Sequence, residues 1–152
     1  MNNKLFMIGI ALVFVLAYGL GQWLSYQQSP SRLPRKMMTA EACDPTQTAC
    51  QATFGEHSLS LIFLDKPSTL KPFRVRLESD SEKIDNLLVD FKMPGMNMGV
   101  NRHHMNYENG YWQNQLVLPV CTQSRNDWSV TLELEQEGIL WTAEFYFVNQ
   151  KS

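Results

Sequence analysis

Four methionines (Met93, Met96, Met98, Met105) and two histidines (His103, His104) fall within thirteen residues of this chain. Thioether sulfur is a soft ligand suited to Cu(I), and imidazole suits copper in either oxidation state, so the segment is a candidate copper site. Met93, Met96 and Met98 can gather around Pro94-Gly95, with one histidine completing a site of three or four ligands. If residues 98–106 form a strand, Met98, Val100, Arg102 and His104 face one way and His103, Met105 and Tyr107 the other. The six donors then cannot all converge on one ion. The competing reading is packing. Methionine is an adaptable core filler, so Met93 and Met98 would plug the end of a core, and His103 and His104 would be ordinary surface residues. His57, ahead of a strand, reads as an isolated solvated side chain.

The elements that must hold this segment are strands. Apolar residues alternate at period two through Leu59, Leu61 and Phe63, then through Phe73, Val75 and Leu77, then through Leu87, Val89 and Phe91. Further runs cover 98–106, 111–118, 128–135 and 139–148, giving about seven strands separated by turn residues. Asn109-Gly110 is a favoured two-residue hairpin turn, and Gln136-Glu137-Gly138 suits the hairpin joining the last two strands. Trp141, Ala143, Phe145 and Phe147 would share one face, with Leu132 and Leu134 on their hairpin partner. Glu133 and Glu135 alternate with those leucines and read as a wet face. The pattern predicts an all-β, immunoglobulin-like sandwich, with no periodic helix after the N-terminal segment.

Three cysteines, Cys43, Cys50 and Cys121, allow three single pairings. A bridge from Cys43 or Cys50 to Cys121 would close a long loop and contribute about 4 kcal/mol, against about 2–3 kcal/mol for a local Cys43–Cys50 loop. No Cys-x-x-Cys is present to suggest a thioredoxin-like redox role.

Residues 5–24 carry no formal charge and are mostly apolar, and Trp23 and Tyr26 stand where interfacial aromatics sit. A helix of that length covers roughly 30 Å, the thickness of a bilayer core. The segment therefore reads as an uncleaved single-span signal-anchor rather than a cleaved signal peptide, because the apolar run continues past the weak cleavage-like Ala17-Tyr18-Gly19. Residues 1–4 would be a cytoplasmic stub, 25–42 a linker rich in Pro, Ser and Arg, and 43–150 one exported domain. Arg32, Arg35 and Lys36 after the span oppose this orientation by charge count. The cysteines favour an oxidising compartment, and long domains translocate largely regardless of flanking charge. The expected location is a bacterial inner membrane with the domain in the periplasm.

Residues 37–152 hold nine basic and fifteen acidic residues, a net charge of −6. No basic face is available for phosphates, so nucleic acid is not an expected partner. No Gly-rich phosphate loop, His-Glu-x-x-His or Gly-x-Ser-x-Gly occurs, and an enzyme is not expected.

Cys43 and Cys50, Asp90-Phe91, Met96-Asn97-Met98-Gly99, Asn101-Arg102 and Leu118-Pro119-Val120-Cys121 with Trp128 following resemble a group of uncharacterised, membrane-anchored bacterial β-sandwich proteins. More distantly, the loop style and small sandwich resemble YtkA-like and FixH-like domains, which are associated with copper handling and cytochrome oxidase assembly. That resemblance implies Met96 and Met98 as leading Cu(I) ligands, with Met93, His103, His104 and Met105 as weaker ones. It also implies a respiratory oxidase or a copper-transfer protein as partner. The Asn101-Arg102 pair is not a soft-metal set and could instead bridge strands through a backbone group or a carboxylate. The expected function is a non-enzymatic, membrane-anchored accessory protein that handles copper. The alternative is a metal-free interaction module that uses Tyr107, Tyr111, Trp112 and nearby methionines.

Overall fold

A computed structural model describes residues 33–96, 98–120 and 125–149, together with Leu16, Tyr18 and Gly19 of a separate unit, Met1–Arg32. The anchor read over residues 5–24 thus falls almost wholly outside the described residues, among which no helix is long and apolar enough to cross a membrane.

From residue 33 onward the described chain forms the strands β1 (Arg35–Met37), β2 (Thr39–Ala40), β3 (Cys50–Phe54), β4 (His57–Phe63), β5 (Pro72–Ser79), β6 (Asn86–Lys92), β7 (Arg102–His104), β8 (Asn106–Glu108), β9 (Tyr111–Val117), β10 (Asp127–Gln136) and β11 (Ile139–Val148). They form two sheets, a first in the order β1-β11-β10-β6-β7 and a second in the order β2-β3-β4-β5-β9-β8. β1 runs parallel to β11, and the other ladders are antiparallel.

The inner faces supply the core. Leu87, Val89 and Phe91 of β6, Trp128 to Leu134 at alternate positions of β10, and Ala143, Phe145 and Phe147 of β11 are buried with Leu59, Leu61, Phe63, Phe73, Val75 and Leu77 of the second sheet. Phe63 and Phe73 meet Phe91 and Phe147 from the facing sheet. The Phe63–Phe147 rings are 5.1 Å apart edge-on, and the Phe73–Phe91 rings 5.7 Å, arrangements that add to the burial of area. Leu132 stands opposite Ala143 and Leu134 opposite Trp141, the expected hairpin register. Both expected hairpin turns form with left-handed central residues, Asn109-Gly110 at φ 53° and 89° and Glu137-Gly138 at φ 51° and 72°, the type I′ signature.

Two segments cross from one sheet to the other. β1 passes into β2 through Met38, whose N–H donates to Thr142 O at 2.7 Å, and β7 passes into β8 through Met105, whose N–H donates to Leu87 O at 2.9 Å. Each methionine is 5% exposed. Here the structure corrects the sequence reading, which expected about seven strands and did not include β3. Residues 98–106 are not one strand, because the chain changes sheet at Met105. Residues 33–42, read as the end of a linker, belong to the sandwich. β1 and β2 have no apolar alternation to betray them; they are strands because β11 and β3 offer unpaired backbone edges.

Cys43 and Cys50 form a disulfide, with Cα atoms 5.6 Å apart. It closes a small loop in which Asp44 Oδ1 accepts from Thr46 N–H at 2.8 Å, a side-chain-capped turn. Of the pairings open from sequence, the local one is adopted, and Cys121 lies outside the described residues.

The β4–β5 connection is held by Asp65. Its carboxylate accepts from Arg74 Nε at 2.8 Å, Arg74 Nη2 at 2.9 Å and the Arg74 backbone N–H at 3.0 Å. Those bonds pull its pKa down to about 2. A carboxyl depressed by folding contributes stability above its unfolded pKa, near 4, and loses it as pH falls through the folded value. The Asp65 carboxyl should therefore titrate near pH 2 by NMR. Asp65→Asn should flatten part of the decline in unfolding midpoint between pH 4 and pH 2; an unchanged decline would contradict the assignment.

Candidate functional site

The methionine-rich segment is the β6–β7 connection. The inner row of β6 runs through Leu87, Val89 and Phe91 to Met93, one residue past the strand and 1% exposed. Pro94 and Gly95 then turn the chain. Met96 N–H donates to Met93 O at 3.0 Å, and Gly95 has φ 76°, which fits a type II turn with Pro first and Gly second. Met96 and Met98 are half-buried and pack against the core. Asn97 lies outside the described residues. After Gly99, again left-handed at φ 75°, and the exposed Val100, pairing resumes where Phe91 N–H donates to Asn101 O at 3.0 Å.

β7 then sorts the histidines by face. His103 stands opposite Val89 on the inner side, whereas His104 stands opposite Leu88 on the outer side. His103 Nε2 is 2.7 Å from Asn101 Oδ1, and His104 Nδ1 is 3.1 Å from Asn86 Oδ1. The six expected donors therefore divide. Met93 and Met105 are core residues, and His104 belongs to the outer face. Met96, Met98 and His103 remain half-buried at the rim of the sandwich. Among the described residues no three His, Cys, Asp or Glu side chains are grouped as a metal site. Any site here would thus rest on thioethers, with His103 the imidazole on the inner side.

Arg102 bridges strands through a carboxylate. It reaches across β6 from the sheet edge to pair with Glu133 of β10. Glu133 is 8% exposed, so the reading of that position as wet is corrected: it stands between Leu88 and Thr142 and pairs with Arg102. Asp90, opposite Arg102 in register and 6% exposed, has Oδ2 2.9 Å from Lys92 Nζ. Sequence separation hides this network, since Arg102 and Glu133 are 31 positions apart.

One further feature escaped the sequence, and one that it named takes definite geometry. His57 is not isolated, because its Nδ1 is 3.3 Å from Asp80 Oδ1 and its ring lies 5.8 Å from that of Phe54. Asp80 also accepts from Ser58 N–H and Oγ, both at 2.9 Å, and these bonds, with His57 adding a smaller part, lower its pKa. The β8–β9 hairpin carries aromatics on both faces. Tyr107, 63% exposed, has its ring 5.2 Å from that of Trp112, and on the other face the Arg76 guanidinium stacks 4.1 Å over Tyr111.

No family model matches this chain, and no curated protein matches it by sequence. A solved structure of an engineered protein is similar over 59% of this chain and 20% of its own length, at 10% identity and a TM-score of 0.43. That likeness carries no argument about function.

Removing the exposed partner of a buried charge costs more than replacing both, because the survivor, here Glu133, is left without its counter-charge. Arg102→Ala should destabilise the domain by about 2 kcal/mol, and adding Glu133→Leu should restore part of it. Urea unfolding of the two single variants and the double variant measures this; additive losses would contradict the pairing.

Proposed function

We propose that this chain is a non-enzymatic accessory protein, anchored in a bacterial inner membrane by residues 5–24, whose immunoglobulin-like sandwich acts in the periplasm as an interaction module for a membrane complex. The observation that carries the reading is the β8–β9 hairpin, which presents exposed Tyr107 against Trp112 on one face and the Arg76–Tyr111 stack on the other, side-chain types that dominate binding hot spots. The Cys43–Cys50 disulfide supports placement in an oxidising compartment. The twenty uncharged residues at 5–24 support the anchor. In this reading the methionines finish the core, and the partner is a neighbouring integral membrane protein.

The test is site-specific photo-crosslinking of the full chain in intact membranes, with the photoreactive residue at position 107 or, as control, at the exposed Glu78 of β5. A discrete adduct from position 107, absent from position 78 and weakened by Trp112→Ser, is the expected result. Equal adducts from both positions, or none from 107, would contradict the reading.

A second reading is favoured by the position of Met96, Met98 and His103, which are half-buried where the core residues Met93 and Met105 are not. Two thioethers and one imidazole suit Cu(I), and ligand exchange from such a rim site would pass copper to an oxidase or a transfer protein without catalysis. Met96→Leu/Met98→Leu nearly conserves volume. In competition with a chromophoric Cu(I) chelator, the full chain should bind one equivalent and the double variant none. Failure of the unaltered chain to compete removes this reading and leaves the first standing.

A further inference from the structure

The β4–β5, β6–β7 and β9–β10 connections meet at one end of the sandwich. Leu70 N–H donates to Leu118 O at 3.0 Å, and Asn114 Nδ2 donates to His104 O at 2.7 Å where β9 and β7 approach across the gap between the sheets. At this end apolar side chains stand in water: Leu70 is 65% exposed, Val100 91%, Val117 40% and Val120 55%. Exposed apolar side chains gathered in one place mark an interaction surface. Leu70 is also held left-handed at φ 59°, a strained conformation for a bulky residue and one that clusters where proteins bind.

Charge separates the two ends of the domain. Residues 64–71, 93–101, 117–126 and 149–152 include one acidic side chain, Asp65, and it is bound to Arg74. Lys66 and Lys71 are exposed and have no ion pair among the described residues. At the other end, Glu56, Asp80, Glu82, Asp85 and Glu137 in the connecting segments stand against Lys83. An acidic domain thus carries a local positive field beside its exposed apolar residues, which attracts an anionic partner.

The backbone says which kind of partner. β8 pairs with residues 111–113 of β9, so from 114 to 117 no strand lies on that side among the described residues. Gln115 N–H donates to Asn114 Oδ1 at 2.7 Å, a side chain standing in for a neighbouring strand. Edge backbone groups of this kind are matched by an extended polypeptide, whereas lipid tails offer them no partner. The observations therefore favour a protein over a bilayer.

We propose that this end of the sandwich docks an extended, acidic segment of a protein partner. Its apolar side chains cover Leu70, Val100 and Val117, and its carboxylates pair with Lys66 and Lys71. The surface is separate from the β8–β9 hairpin, and it stands with or without copper at Met96, Met98 and His103.

The test places a photoreactive residue at position 100 of the full chain in intact cells, with position 82, in the acidic β5–β6 connection, as control. A discrete protein adduct from position 100 and none from 82 is expected, and mass spectrometry should find Asp or Glu in the partner's crosslinked peptide. Lys66→Glu/Lys71→Glu should cut the yield roughly tenfold, whereas Lys66→Arg/Lys71→Arg should preserve it. An adduct with lipid or with a second copy of this chain, a partner peptide without acidic residues, equal yields from the two positions, a yield indifferent to charge reversal or lost in the arginine variant, or no adduct would overturn the proposal. An adduct from position 107 without one from 100 would reject this surface alone and leave the hairpin reading standing.

Discussion

Two stacked sheets bury their inner faces only if something covers the gaps along their sides, and this domain covers both with its own chain. β1 leads into β2 on one side and β7 leads into β8 on the other, each crossing from the first sheet to the second. At each crossing a methionine turns into the core and its N–H completes a ladder bond, Met38 to Thr142 and Met105 to Leu87. An unbranched, flexible side chain suits a corner where the backbone direction changes, because it can fill a gap of irregular shape. The four-phenylalanine contact between the sheets and the sealing of the first sheet's edge both depend on these crossings being in place.

That constraint gives a physical account of much of the methionine density around residues 93–105. Met93 ends the inner row of β6, and Met105 is a crossing residue; their burial follows from position in the fold. Met96 and Met98 owe their half-buried state to the Pro94-Gly95 turn, which folds the loop back against the end of the core. Alternation along β7 then places His103 and His104 on opposite faces. A cluster dense in sequence is thus divided in space, and its ligand chemistry is concentrated on the few residues that the core leaves at the rim.

The strands with unbroken alternation were legible because each pairs with a sequence neighbour or carries a full apolar face, and β10 and β11 are the clearest case. Their Glu137-Gly138 turn needs two left-handed residues, and the sequence provides the glycine for one of them. β1, β2 and the division of 98–106 were not legible. A strand of two or three residues at a sheet edge is created by its partner's unpaired backbone groups rather than by its own side chains. The same non-locality hid the Arg102–Glu133 pair and the His57–Asp80 contact, in which each residue looks like an ordinary surface charge until the register is known. Of the candidate site, residue types and loop position could be read. The burial of Met105 could not, because it depends on a change of sheet that no local pattern records.

The most direct measurement is the unfolding free energy of single alanine variants at Met38, Met93, Met105, Met96 and Met98, compared under identical conditions in urea. The account predicts losses of about 2–4 kcal/mol at Met38, Met93 and Met105, in the range for buried methionines, and losses below about 1.5 kcal/mol at Met96 and Met98. Near-zero cost at Met105 or Met38 would contradict the claim that these crossings close the core. Equal costs at all five positions would contradict the division of the cluster into core and rim.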